Sequence, residues 1–168
     1  LNATGEVTLK AVDTTSWSDG VYSYTRTDIY SVKRSGYFDF NKVLADASSR
    51  FSDELMDSIE PFDYDELKPY NHAYLSGFLA EKYDVEDEVA LQRANDRTMM
   101  TCNELIKASV RHSSVSIVDN GMVIKPEHCH YIMLPVWMVN IKYKDKMYTF
   151  AMNGQTGKFI GDLPMDQG

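Results

Sequence analysis

Cysteine is scarce in this sequence. Cys102 and Cys129 are the only two, too few for a disulfide framework or a zinc ribbon. Long apolar runs are missing as well: no stretch approaches the roughly 18 apolar residues that span a bilayer, so no transmembrane segment is expected in this chain. Positive charge is in the minority, with 17 Lys and Arg against 25 Asp and Glu and a net charge of −8. A nucleic-acid surface needs clustered cations to displace counterions, so this domain is not expected to bind nucleic acid. No signal-peptide pattern opens the chain, which starts at Leu1 rather than Met and reads as a segment of a longer protein.

What is present is ordinary globular material, 43% hydrophobic and 25% charged. Aromatics reach 12%, with eleven tyrosines, which suits half-buried sheet surfaces. The order of patterns predicts a single α+β domain over 1–168, with strands in 6–46, helix in 52–112 and strands again in 113–163. Antiparallel sheets from the two terminal meanders would pack on a central helical segment holding one long helix.

In the first third, Glu6 to Val12 alternates, Val21 to Lys33 follows, and Ser35-Gly36 reads as a turn into Tyr37–Phe40, a three-stranded meander. In the middle, Ser52 is placed to cap a short helix whose first turn is acidic. Its acids belong to a run comprising Asp53, Glu54, Asp57, Glu60, Asp63, Asp65 and Glu66, read as a solvated face. Tyr74 to Tyr83 reads as a second short helix, with Gly77 allowing close packing. The longest helix is expected from Asp87 to Arg111. At about 100° per residue, Glu86, Arg93, Arg97, Glu104 and Arg111 form one narrow polar stripe, and apolar residues spread around the rest, as in a helix covered on more than one side. Buried within it, Cys102 would act as a small hydrophobe.

The last third returns to strands. Asp119-Asn120-Gly121 is a hairpin signal. Tyr131 to Leu163 reads as antiparallel β-structure whose first strand starts buried and emerges towards its tip. Pro135 cannot donate to a ladder and belongs at an edge, a bulge or the strand start. Lys144-Asp145 turns the chain, and Asn153-Gly154-Gln155-Thr156-Gly157 turns it again, with Asn-Gly and Thr-Gly supplying positive φ.

Few residues carry chemistry. Gly154 to Lys158 superficially resembles a phosphate loop, but Met152 stands where the first glycine is required, Phe159 follows the lysine, and a strand rather than a helix comes next. His128 and His130 would point the same way in an extended segment and could share a metal ion; solvated imidazoles at a strand start are the alternative. Trp137 and Tyr143 are candidates for lining a ligand groove, although a strand Trp more often belongs to the core. No nucleophile stands in a recognisable catalytic context, so no catalytic residue and no cofactor is assigned.

Several blocks carry a resemblance. Tyr131-Ile132-Met133-Leu134-Pro135-Val136-Trp137, Tyr143 to Phe150, Asn153 to Lys158 and Gly161-Asp162-Leu163-Pro164 are joined by Ile59 to Tyr64, Tyr74 to Glu81 and, more weakly, Val32 to Gly36. Together they resemble the middle domain of uncharacterised bacterial proteins that carry an N-terminal zinc ribbon of the transcription-factor-IIB type and a membrane-anchoring tail. The final hairpin is also similar to PepSY-type modules. The ribbon's paired cysteines are absent here, and Asp145 stands where that pattern tends to have Gly. Structural motifs without a reactive constellation point to a non-enzymatic interaction or scaffold domain with a protein partner, and the resemblance implies a place on the cytoplasmic side of the bacterial membrane. A small-ligand or metal-binding module, or an enzyme of unidentified class, are the other readings left open.

Overall fold

The computed structural model describes residues 1–126 and 128–161. The chain divides into two compact units, one built from Leu1–Ala45 with Leu91–Cys129, the other from Asp46–Ala90 with the described residues from His130 on.

In the first unit, strands β1 (Asn2–Ser18) and β2 (Ser23–Asp39) form one antiparallel hairpin, in unbroken register from Asn2↔Asp39 to Ser18↔Ser23. The turn is organised by Asp19, which the strand pattern did not single out. Its carboxylate accepts from the Val21 amide at 2.9 Å, the Tyr22 amide at 2.8 Å and the Tyr24 hydroxyl at 2.9 Å. The Tyr22 amide first, then Val21 and Tyr24, hold that carboxyl below its ordinary value. The expected meander is therefore corrected. Ser35-Gly36 is no turn but lies inside β2, opposite Glu6 and Gly5; a local turn signal yields where a long neighbour offers continuous ladder bonds.

The third strand comes from far along the chain. β3 (Ser114–Asn120) and β4 (Val123–Lys125) both pair antiparallel with β1, β3 against Val7–Val12 and β4 against Asn2–Thr4. The hairpin expected at Asp119-Asn120-Gly121 does not form; the chain steps past Gly121 and keeps following β1. Close backbone approach permits the step. The Gly121 amide donates to the Glu6 carbonyl at 2.9 Å, and a Cβ on Gly5 would lie 2.3 Å from the Gly121 carbonyl oxygen. Asn120 spans the same step, accepting from the Met122 amide at 3.0 Å and donating to Asn103 Oδ1 at 2.9 Å.

Alternation along β1 points Ala3, Val7, Leu9 and Ala11 to one side, where they are fully buried with Cys102, Ile106, Val110 and Met122. The helix partner is α2 (Asp87–Ala108), shorter than the expected span to Arg111. Its buried positions are Ala94, Thr98, Cys102 and Ile106. This corrects the reading of a helix covered on several sides: Met100 and Leu105 are at least half exposed, whereas Arg97, expected on the solvent stripe, is partly buried and donates to the Leu44 carbonyl at 2.8 Å. These positions, four residues apart, lie on one face of the helix, and a hydrophobicity count does not single out its Ala94 and Thr98. Thr98 satisfies its buried hydroxyl on the Ala94 carbonyl at 2.8 Å.

In the second unit, α1 (Asp53–Ser58) begins as expected, with Ser52 Oγ accepting from the Leu55 amide at 3.3 Å. Two 3₁₀ turns follow, Tyr64–Glu66 and His72–Leu75. The helix expected over Tyr74–Tyr83 is absent because Gly77 adopts φ +86, a left-handed conformation that ends the turn. The sheet is a meander of β5 (Val136–Tyr143), β6 (Lys146–Asn153) and β7 (Phe159–Gly161), with β6 in the middle. Extended pairing thus begins at Val136 rather than Tyr131, directly after Pro135. The apolar run before it serves elsewhere: Tyr131 stacks on Tyr83 with centroids 4.4 Å apart and donates to Asp87. Leu163, the expected end of the β-structure, lies outside the described residues. Lys144 and Asp145 make the β5–β6 turn with φ of 46 and 61.

Two antiparallel sheets with one long helix give the α+β class expected from the sequence. No helix among the described residues is long and apolar enough to cross a membrane.

Candidate functional site

The β5–β6–β7 sheet has one face turned to its own unit's interior and one turned outward. Ala151 and Asn153 of β6 are fully buried, together with Ile59 at the end of α1 and, nearly so, Phe62. Asn153 holds this interior together. Its Nδ2 donates to the carbonyls of Ile59 at 2.9 Å and Pro61 at 3.0 Å, and its Oδ1 accepts from the amides of Gln155 at 2.8 Å and Thr156 at 3.0 Å. All four side-chain hydrogen-bonding positions are thereby used.

This corrects the reading of Asn153-Gly154 as a source of positive φ. Within the 153–157 turn only Gly157 takes that conformation, at φ 73. The rejection of a phosphate loop gains a physical reason. The Gly154 amide donates to Pro135, the Gly157 amide to Asn153 and the Lys158 amide to Thr156 Oγ1, while Lys158 Nζ donates to the Glu60 carbonyl at 2.6 Å. With Gln155 and Thr156 bound to Asn153, every amide of the turn is engaged.

Strand alternation places Trp137, Val139, Ile141 and Tyr143 on one face of β5. All four stand out from the fold, with exposures of 57%, 50%, 49% and 46% in that order. Their direct cross-strand neighbours are Met152, Phe150, Tyr148 and Lys146, and Phe159 of β7 extends the surface from opposite Met152. Phe150 is the anchor beneath: its ring stacks on Phe159 with centroids 5.6 Å apart and lies across Gly161. Phe78 meets the Trp137 ring edge-on at 6.3 Å, and Lys144 Nζ sits 5.2 Å from the centre of the Tyr143 ring. The strand was expected to start buried; instead its first aromatic is its most exposed apolar residue, because the core side of β5 is carried by Val136 and Met138.

The sequence-derived pair Trp137 and Tyr143 therefore share one face at opposite ends of one strand. His128 and His130 are both exposed, in the segment between β4 and β5, with the exposed thiol of Cys129 between them. Among the described residues, no three of His, Cys, Asp and Glu come together as a metal-ligand group. Cys102 is a free, fully buried thiol, and burial pushes its pKa up, as expected of a small core residue.

A dyad that spacing could not reveal joins Asp13 of β1 to His112. Nδ1 of His112 lies 2.8 Å from Asp13 Oδ2, and the Tyr30 ring packs on the imidazole with centroids 4.7 Å apart. The Ser113 amide also donates to Asp13 at 2.8 Å, and its hydroxyl at 3.2 Å. The Ser113 amide foremost, then His112, hold the Asp13 carboxyl below its ordinary value. An orienting carboxylate and an imidazole are two parts of a nucleophilic triad, but here the serine hydroxyl binds the carboxylate rather than the imidazole. The arrangement fastens the segment after α2 to β1.

No family model and no solved structure matches the chain. It is similar to the uncharacterised protein YdjG of Bacillus subtilis (strain 168), 36% identical over 169 residues that take in 100% of this chain and 50% of that protein. The chain thus spans about half the length of the curated relative it matches.

Proposed function

We propose that the chain is a protein-docking module and that its docking surface is the outward face of β5, with Trp137, Val139, Ile141 and Tyr143 as the contact row. The observation that supports this most is the continuity of that row. Four apolar side chains, each about half exposed, occupy successive outward positions of one strand. Scattered exposed apolar residues are normal on a protein surface, whereas a contiguous patch marks an interaction site. At about 3.4 Å per residue, the row runs for about 20 Å, longer than most small ligands, which favours a macromolecular partner over a ligand groove. Trp and Tyr at its two ends are the residue types that most often carry interface energy. Among the described residues no strand pairs with the outer edge of β5, which adds open backbone groups beside the same row.

The sequence resemblance supports placing this module in a zinc-ribbon, membrane-linked bacterial protein, with the domain on the cytoplasmic side. The relative's length, twice the matched segment, leaves room for both additions. In this reading the chain is non-enzymatic and acts as a scaffold contact.

A photoreactive amino acid placed at Val139 in the full-length protein tests the surface directly. Adducts with a second protein are expected on irradiation of cells, and Trp137→Ala should abolish them. The same probe at Lys10, on the sheet of the first unit, serves as the control. Equal adducts from both positions, or none from Val139, would discard the reading.

A further inference from the structure

The first unit carries a second, independent surface, the open edge of β2. This strand is 17 residues long and, among the described residues, bonds to β1 alone, so one side of its backbone has no strand partner there. Exposed edges are usually blunted by prolines, bulges, very short strands or charged side chains. Of these β2 has only the charges, Arg26, Asp28, Lys33 and Arg34: its sequence contains no proline, and its register with β1 runs without a shift, whereas β1 and β3 slip between Thr8 and Leu9. Apart from Asp28, Val32 and Phe38, its residues are exposed.

We infer that β2 pairs antiparallel with β2 of a second copy of this chain, about a two-fold axis at Ser31, joining two four-stranded sheets into one. The charges on the strand select both the partner and the register. Asp28 and Arg34 lie on the same face of β2, three residues either side of Ser31. A two-fold axis there sets Asp28 of each copy opposite Arg34 of the other, giving two equivalent ion pairs. Tyr30 then faces Val32, Tyr24 faces Phe38, and Arg26 faces Gly36, so no like charges meet.

Neighbouring registers that keep the same faces aligned are worse. A shift of two residues one way sets Arg26 against Arg34. The same shift the other way leaves Asp28 opposite Gly36 and Arg34 opposite Tyr30. Since β1 carries its buried side chains opposite the even-numbered positions of β2, the even-to-even pairing also keeps the α2 side of both sheets on one surface. An isologous contact of this kind is self-limiting, because the two-fold consumes both open edges at once.

Partners other than a second copy would find on this edge one negative and two positive charges on the same face. In the free chain, Arg26 already pairs with Asp28 at 3.0 Å, and among the described residues the Arg34 guanidinium donates to the neighbouring Lys33 carbonyl at 3.1 Å and to no carboxylate. Arg34 is therefore the cation left for an incoming carboxylate, and Asp28 of a second copy supplies one at the matching position.

Light scattering coupled to gel filtration tests this on the chain itself. The expected mass is twice the 19.2 kDa of one chain. Asp28→Arg and Arg34→Asp alone should each weaken the dimer roughly tenfold or more, since like charges then face each other twice across the axis. An equimolar mixture of these two variants should restore a dimer, because every facing pair again has opposite signs. Far-UV circular dichroism checks that both variants remain folded; Arg34 is exposed and Asp28 partly so. A monomeric wild-type chain, or a dimer indifferent to both substitutions, overturns the inference. So does failure of the mixture to recover association. Monomer that nevertheless binds extended peptides would assign the edge to a different partner.

Discussion

Asn153 shows how much of a fold can rest on one polar side chain. It sits at the end of β6, fully buried, and its four hydrogen bonds tie the 153–157 turn to the backbone around Ile59 and Pro61. Truncating it leaves two carbonyls and two amides without their partner. A buried group left unpaired loses about 1–3 kcal/mol, and water can reach some of these four groups. Asn153→Ala is therefore expected to destabilise the chain by about 2–4 kcal/mol, read as a lower urea midpoint at unchanged slope. A change below the error of the measurement would mean that the turn is held by other contacts. In the sequence this residue looked like half of an Asn-Gly turn signal. Nothing local distinguishes an asparagine that takes positive φ from one that satisfies a distant backbone.

At the scale of elements, the β5–β6 hairpin was legible and the β1–β2 hairpin only partly so. Lys144-Asp145 was recognised because both flanking segments alternate, and the φ values of 46 and 61 match a type I′ turn. An L-residue in that region is disfavoured by roughly 1–2 kcal/mol, less for Asn and Asp. Lys144→Asn should therefore stabilise the chain, by up to about 1 kcal/mol, seen as a raised thermal midpoint; a lowered one would contradict the turn assignment. Elsewhere the local signals misled. Ser35-Gly36 and Asp119-Asn120-Gly121 both look like turns, yet each lies beside β1, whose length supplies ladder partners across the interruption. The polar stripe of α2 was drawn by hydrophobicity, and the face that packs is the one carrying Ala94, Thr98, Cys102 and Ile106.

At the scale of the whole molecule, the two units share a response to acid. Asp13 and Asp19 in the first, and Asp84 in the second, are all held below the ordinary Asp value of 3.8 by donated hydrogen bonds. For Asp84 the donors are the hydroxyl of Ser49 and then its amide. A carboxyl whose folded pKa is depressed contributes stability in full above its unfolded pKa and loses it as pH falls through the folded value. Stability should thus be level above about pH 5 with respect to these groups and decline below about pH 4. In Asp13→Asn the decline should be shallower, because the replacement does not titrate. Thermal midpoints across pH 2.5 to 7, taken as roughly the span of carboxylate titration, check this; identical slopes for both proteins would refute the assignment.

Some conclusions needed only the sequence. Alternation in β1, β3, β5 and β6, the Ser52 cap, the long helix and the Lys144-Asp145 turn are local, because burial on one side imprints a period of two or of about 3.6 on the residues concerned. Trp137 and Tyr143 were singled out as aromatic residues able to line a ligand groove. What the tertiary structure decided was partnership. It set β3 and β4 on β1 across about a hundred residues of chain, Asp13 on His112 and Asn153 on Ile59 and Pro61. It also left the Trp137–Tyr143 row outward. Periodicity tells which side of a strand is apolar; only the packing of distant segments determines whether that side is covered.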